Sequence, residues 1–244
     1  MTLTHIDDHP VPADRLPIDH YARRTEFADW LVRNAIDHGH EIAVTPNWVY
    51  VTGYTSPIFN PAPEKKPLID ALLGDPPTGQ VGAFGTLAGS QDAFLARLVP
   101  DLVPSDNTRV SYYGGSAHDR PYGVAVNNMN SDVYIMGTTR SYNLPGTVGG
   151  AQPTPPSSYA MFAARFSDDL ATLRQATYLG GATNYLGGTG FNSTYGGLAL
   201  SYPIGGPELF ISGYTDTVDF PQTAGGVQDS LNGTMDAFVV RYDQ

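Results

Sequence analysis

Four short sequence motifs recur in a fixed order between residues 41 and 244, and this repeat constrains the fold more than any other feature of the chain. The first motif ends in Ala-Val or Ala-Leu, the second in Gly-x-Thr, the third contains Phe-x-x-Arg, and the fourth ends in Gly-Gly. The second motif alternates aromatic and β-branched residues as a strand does. Four consecutive strands per unit are typical of a radially repeated antiparallel sheet. The copies of the four motifs lie at 41–44, 123–126 and 197–200; at 48–56, 132–139 and 208–216; at 92–98, 160–166 and 236–242; and at 111–115 and 177–181.

The motifs define three units, at about 41–115, 122–181 and 195–244. Equivalent phenylalanines of the third motif are 68 and 76 residues apart, whereas one such sheet usually takes about 40–50 residues. The additional length lies in the loop between the second and third strands, which in the first unit runs from about Pro57 to Gln91. The 27 glycines and 20 prolines of the chain favour such loops and turns.

Two series of segments carry a wider pattern. The first comprises 112–119, 122–126, 133–139 and 143–145, and the third unit repeats the pattern with 211–215, 219–223, 225–228 and 236–241. Over roughly residues 41–244 the chain resembles the bacterial β-propeller repeat often called the SBBP repeat. The resemblance implies a propeller-like fold, often found in secreted or cell-surface proteins, and it supplies neither a single activity nor a catalytic set. We therefore expect an all-β fold of about three four-stranded antiparallel propeller-like blades with long loops, plus an N-terminal arm and one helix.

The third unit stops after its third strand, and three units fall short of the four to eight that close a ring. The last strand is then an exposed edge, which proteins cover or use. The N-terminal arm alternates polar and apolar residues at its start. We hypothesise that this arm or a neighbouring subunit supplies the missing strand and produces a homo-oligomer, although the arm alternatively only wraps the surface. The residues assigned to this assembly are Thr2, Leu3, Thr4, Ile6, Asp236, Phe238, Val240 and Tyr242.

Residues 1–40 differ from the repeat domain, 41–244, and we treat them as a separate N-terminal region. Residues 1–23 are polar and punctuated by prolines, which predicts an extended arm. Residues 25–38 carry apolar side chains at helical spacing, with Thr25 as the N-cap and Gly39 as the residue that ends the helix.

Candidate sites for chemistry are few. His38, His40 and Glu41 form the densest group of potential metal ligands, although they straddle the predicted end of the helix. Asp216 and Asp219 flank a turn and are candidates to share a calcium ion. His118 and Asp119 suggest either an acid–base pair or, as the repeat favours, a polar turn.

Aromatic and basic residues recur at equivalent positions of the units. Tyr54, Tyr142 and Tyr214 are expected at loop ends, where they are candidates to bind a glycan or protein ligand. For the recurring aromatics and arginines we expect structural roles, the aromatics packing between sheets and each arginine pairing with a carboxylate or with carbonyl groups. These residues are Tyr50, Tyr134, Phe210, Arg97, Arg165 and Arg241.

Composition excludes several classes of function. The net charge of −11 argues against nucleic-acid binding, and the absence of cysteine excludes disulfides and thiolate metal sites. No apolar run is long enough for a membrane helix, and the N-terminus lacks the pattern of a signal peptide, although the family resemblance suggests an extracellular or surface location. No nucleophile elbow or Walker A motif is present, and we predict no cofactor.

The sequence favours a non-catalytic, self-assembling structural or scaffold protein, such as a component of a surface layer, a filament or a phage-like particle. Two alternatives stay open. One is a binding module that recognises a glycan or protein through its inter-strand loops. The other is a metal-dependent hydrolase or lyase, which requires His38, His40 and Glu41 to converge with a distant ligand.

Overall fold

A computed structural model describes residues 38–55, 79–101, 105–184, 186–188, 190, 192–193, 196–203 and 206–243. All regular secondary structure in these residues is β, which confirms the predicted all-β class. No helix in this part of the chain is long and apolar enough to cross a membrane. The strands are β1 (His38–Val44), β2 (Val49–Thr55), β3 (Gln80–Val81), β4 (Asp92–Leu98), β5 (Arg109–Tyr113), β6 (Asp119–Val126), β7 (Val133–Thr139), β8 (Ala160–Phe166), β9 (Leu173–Leu179), β10 (Asn192–Ser193), β11 (Leu198–Ser201), β12 (Glu208–Thr215) and β13 (Asp236–Asp243).

The strands form three separate sheets, and none of them closes on itself. The first has the order β1-β2-β4-β5-β3, in which only the short β3 pairs in parallel. The second is a simple antiparallel succession, β6-β7-β8-β9. In the third, β12 lies between β13 on one side and β10 and β11 on the other. The strands predicted from the four motifs are therefore found in their predicted order.

The second and third motifs pair in the same register in all three sheets. The glycine of each Gly-x-Thr motif lies opposite the phenylalanine of the neighbouring strand, as in Gly137 opposite Phe162. A side chain on Gly137 is excluded, because its Cβ would lie 2.0 Å from the carbonyl oxygen of Arg120. The motif therefore records a close approach of two backbones rather than a flexible point.

The three sheets stack face to face, and equivalent residues point in equivalent directions. Tyr50 belongs to the core between the first and second sheets, together with Ile135 and Phe162 of the second. Tyr134, on the opposite face of the second sheet, packs in the core shared with Ile211 of the third. The first and second sheets therefore use their Tyr50-type faces to cover the following sheet, and the second and third sheets use their Ile135-type faces to cover the preceding one. Burial of both faces explains why strands β4 and β7 are apolar in nearly continuous runs.

Only the end of the predicted N-terminal helix lies within the described residues. His38 and Gly39 lie in β1, where Gly39 pairs with Gly53 and a bulge follows before Glu41. The prediction that a helix ends at His38 with Gly39 as its cap is therefore wrong at that end, because pairing with β2 extends the first strand three residues earlier than the motif indicated. Residues 1–37, which include the arm and the rest of the predicted helix, lie outside the described residues.

Candidate functional site

The outer face of the third sheet is exposed, although the equivalent faces of the other two sheets are buried. Val239 in β13 is 71% exposed, whereas its equivalents Leu95 and Ala163 are 0% and 6% exposed. Phe210 is half-buried on the same face, whereas the equivalent tyrosines of the first two sheets are buried. The third sheet thus presents to solvent a face that, twice within this chain, packs against a following sheet. Ala199 of β11 is also exposed on this face.

The outer edge of β13 differs from that of its equivalents. In the first two sheets the third strand pairs with a fourth, β4 with β5 and β8 with β9. Within the described residues β13 pairs with β12 alone. The edge predicted from the sequence is therefore present in the fold, next to the exposed face.

The side chains assigned to assembly from the sequence do not lie on this exposed face. Phe238, Val240 and Tyr242 pack against the core between the second and third sheets, and burial raises the pKa of Tyr242 to about 12. Of the four β13 side chains selected, these three face inward because strand alternation places Ala237, Val239 and Arg241 outside. Asp236, the fourth, is half-buried at the start of the strand. Thr2, Leu3, Thr4 and Ile6 lie outside the described residues.

The predicted metal ligands lie on a strand rather than at a helix end. His38 and His40 belong to β1, and their side chains lie outside the described part of the structure, whereas Glu41 is exposed. Among the residues whose side chains are described, no three histidine, aspartate or glutamate side chains are grouped as metal ligands. The metal site stays a prediction.

Asp219, proposed as a calcium ligand, holds a turn of the neighbouring sheet. Its Oδ1 accepts hydrogen bonds from the backbone N–H groups of Ala182 and Thr183, at 2.9 and 3.0 Å, just after the Gly-Gly end of β9. The equivalent Asn143 Oδ1 accepts the N–H of Ser116, at 2.9 Å, after the Gly-Gly end of β5. A recurring Asn or Asp thus fastens each sheet to the turn of the preceding one, which gives Asp219 a structural role. Asp216 lies in the same turn and is half-buried.

Two buried carboxylates face each other across Gly114. A Cβ on Gly114 would lie 2.6 Å from Asp92 Oδ1 and 2.7 Å from Asp119 Oδ2. The Asp119 carboxylate accepts hydrogen bonds from the hydroxyl groups of Thr139 and Ser141 and from the N–H of Gly115. This environment identifies Asp119 as a buried anchor between the first two sheets, whereas His118 is exposed.

Burial shifts the acidity of both carboxyl groups. It raises the pKa of Asp92 to about 6, although the N–H groups of Ala88 and Gly89 donate to this carboxylate, and the charge of Asp119 raises it further. Burial likewise raises the pKa of Asp119, against the effect of its hydrogen-bond donors. Sequence reasoning did not foresee this pair, because the two residues belong to different sheets and are far apart in the sequence.

The recurring arginines have the structural surroundings expected of them. Asp132, which is 2% exposed, pairs with Arg165 at 2.6 Å and with Arg174 at 2.7 Å. Arg97 lies over the ring of Trp48, with 4.1 Å from its guanidinium carbon to the ring centre. Arg241 lies 3.5 Å from the carboxylate of Glu208. Each guanidinium therefore lies beside a carboxylate or over an aromatic ring of its own or an adjoining strand.

The three tyrosines predicted to bind a ligand are not equivalent in the structure. Tyr54 is 6% exposed and lies beneath the guanidinium of Arg120, so its predicted exposure at a loop end is wrong. Tyr142 is 64% exposed and Tyr214 is half-buried. Tyr54 and Tyr214 belong to the first and third sheets, and Tyr142 follows β7 of the second. Tyr54 lies on the same face of β2 as Tyr50, and this face packs against the second sheet, which explains the burial of Tyr54.

Comparison with known proteins adds no further assignment: no family model matches the chain, and no curated protein matches it.

Proposed function

We propose that this chain is a non-catalytic scaffold module of propeller-like sheets that assembles with copies of itself. The observation that carries the proposal is the exposed outer face of the third sheet. Val239 is 71% exposed there, although the equivalent residues of the first two sheets are buried against a following sheet. Exposed apolar faces of this kind mark interaction sites.

The chemistry of this face supports a contact between sheets. Phe210, Ala199, Ala237 and Val239 supply apolar surface at its centre, and the Arg241–Glu208 ion pair lies at one end. Sheet-to-sheet packing buries alternate side chains of each strand, which is the arrangement already made twice within the chain. Within the chain this packing joins unlike faces of two sheets. A two-fold contact between two copies instead joins the same exposed face of each, so that one contact covers the apolar surface of both.

Solution mass tests the proposal. We expect the native chain to sediment at a multiple of its 26.1 kDa monomer mass. We expect Ala199→Asp to dissociate the assembly, because the substitution places a charge on a face that the contact between copies would remove from water. Analytical ultracentrifugation at micromolar concentration measures both species.

Val44→Asp is the matched control, because Val44 is 70% exposed on β1, which belongs to the first sheet. This variant should retain the native mass. A native chain that sediments as a monomer over the whole concentration range would refute the proposal, and so would an assembly that Ala199→Asp leaves intact while the variant stays folded.

A further inference from the structure

The loop that precedes β13 has the same sequence pattern as the loop that precedes β8, with matching residues at the same spacing. Residues 143–152 read Asn-Leu-Pro-Gly-Thr-Val-Gly-Gly-Ala-Gln, and residues 219–228 read Asp-Phe-Pro-Gln-Thr-Ala-Gly-Gly-Val-Gln. Gln152 and Gln228 each lie eight residues before the first residue of the following strand. The two segments therefore occupy equivalent places in the second and third units.

In the second unit this segment holds the fourth strand, β9, along its outer edge. The N–H groups of Ala176 and Tyr178 donate to the carbonyl oxygens of Gly146 and Gln152, at 2.8 and 2.9 Å. The backbone N–H of Gln152 donates to the hydroxyl oxygen of Thr177 at 2.8 Å. The side-chain amide of Gln152 binds both the carbonyl oxygen and the N–H of Gly180 at 3.1 Å. β9 is thus held between β8 and the 146–152 segment.

The first unit holds its fourth strand in a related way. The N–H of Tyr112 donates to the carbonyl oxygen of Phe84 at 3.0 Å, and the N–H of Phe84 donates to the hydroxyl oxygen of Ser111 at 3.0 Å. Ser111 and Thr177 are equivalent residues of the fourth motif. In both sheets, the loop segment therefore hydrogen-bonds to a fourth strand that carries a hydroxyl residue followed by a tyrosine.

The third unit has the same holding segment in the same conformation. The N–H of Gly226 donates to the carbonyl oxygen of Thr223 at 2.9 Å, as that of Gly150 does to Thr147. Gly149 and Gly225 have φ values of 84° and 83°. The turn is therefore formed although no fourth strand lies beside it in the described residues.

A cleft of about 390 Å³ lies where the fourth strand would be. Its lining includes Phe220, Thr223, Gly226 and Gln228 from the loop and Phe238 and Val240 from β13. The side-chain amide of Gln228 donates here to the carbonyl oxygen of Ser230 and to Asp236, instead of binding a strand as Gln152 does. Val227 at the rim is fully exposed.

We propose that this cleft binds an extended segment of a partner polypeptide with the sequence chemistry Thr/Ser-Tyr-x-Gly-Gly, which adds to β13 as a fourth strand. The inference rests on the proposed function, because it names the segment that completes the assembling sheet. The strand pairs its main chain with β13 and with residues 222–228, which supplies affinity. Its hydroxyl residue binds the backbone of Gln228, and its first glycine receives the Gln228 amide.

The tyrosine of the incoming strand also has a defined place. In the second unit the Tyr178 hydroxyl accepts the N–H of Leu144 at 2.9 Å and donates to the carbonyl oxygen of Ser141 at 3.0 Å. Phe220 and Thr217 stand at the equivalent positions of the third unit. The glycine after the strand is favoured because Gly180, its equivalent, has a φ of 152°.

A synthetic peptide with the sequence of β9 and its turn, Leu-Arg-Gln-Ala-Thr-Tyr-Leu-Gly-Gly, tests the inference with the full chain. We expect saturable binding by isothermal titration calorimetry. The same peptide carrying an N-methyl group on the tyrosine amide should bind about tenfold more weakly, because it lacks the hydrogen bond that Tyr178 makes to Gln152. Gln228→Ala should weaken binding of the unmodified peptide to a similar extent, and Asn232→Ala, in the same exposed loop, should not.

Absence of binding up to millimolar peptide would overturn the inference, and so would binding that is indifferent to both the N-methyl group and Gln228→Ala. The sedimentation experiment with Ala199→Asp tests the contact made by the exposed face of the third sheet, and it does not test the cleft. A native chain that assembles but does not bind the peptide would therefore refute the cleft while leaving the proposed function intact.

Discussion

Replacing Asp119 with alanine is expected to lower the free energy of unfolding by about 3–5 kcal/mol, because the change leaves several buried donors without their acceptor. Asp119 is 0% exposed and accepts from Thr139, Ser141 and the N–H of Gly115. These groups fasten β7 and the Gly114-Gly115 turn of the first sheet to one another. Urea denaturation followed by circular dichroism measures the change.

Asp106→Ala is the matched control, since Asp106 is an exposed aspartate of the same domain. We expect it to change the free energy of unfolding by less than about 0.5 kcal/mol. Asp119→Asn should cost less than Asp119→Ala, because the amide oxygen still accepts hydrogen bonds. An alanine variant as stable as the native chain would contradict the role of Asp119 as an anchor between sheets.

The second expected result is a loss of stability as the pH rises from about 4 to about 6. The pKa of Asp92 is about 6 in the folded protein and has its ordinary value of 3.8 in the unfolded chain. Between these values the folded state binds more protons than the unfolded state, so that its stability falls with rising pH. The pKa of Asp119 is raised as well, which adds an effect of the same sign. For Asp92 alone the loss is about 3 kcal/mol.

Asp92→Asn should remove most of this pH dependence. An amide oxygen can accept the N–H groups of Ala88 and Gly89, as Asp92 Oδ2 does, and it introduces no charge beside Asp119. Urea denaturation at pH 4, 5, 6 and 7 measures the slope for the native chain and for the variant. Stability that rises between pH 4 and pH 6 in the native chain, or a slope that Asp92→Asn leaves unchanged, would contradict the assignment.

Apart from the short β3 and β10, the strands were predictable because the motifs that form them repeat. Gly-x-Thr and Phe-x-x-Arg recur with neighbours of the same type, and they lie in register wherever they occur, as with Gly53 opposite Phe94 and Gly213 opposite Phe238. The repeat also predicted the unpaired outer edge of β13, which within the described residues pairs with β12 alone. Local periodicity and repetition are the information that a single sequence carries best.

Contacts between different sheets were not predictable in the same way. The Asp92–Asp119 pair depends on how two sheets meet, and the burial of Tyr54 depends on the second sheet, whose Arg120 guanidinium lies over the ring. The position of Phe238 and Val240 on the inward face of β13 could not be predicted for a related reason. Alternation along β13 separates two faces, but only the stacking of the sheets decides which face is covered.

Amide hydrogen exchange along β13 tests most directly the central claim, that the outer edge of the third sheet takes up a further strand. With a saturating concentration of the β9 peptide, we expect the amides of Asp236–Asp243 to be protected nearly as well as those of the doubly paired strand β8, Ala160–Phe166. Without the peptide, the β13 amides that do not bond β12 should exchange much faster, while those of β8 stay protected. Equal exchange of β13 with and without the peptide would contradict the account.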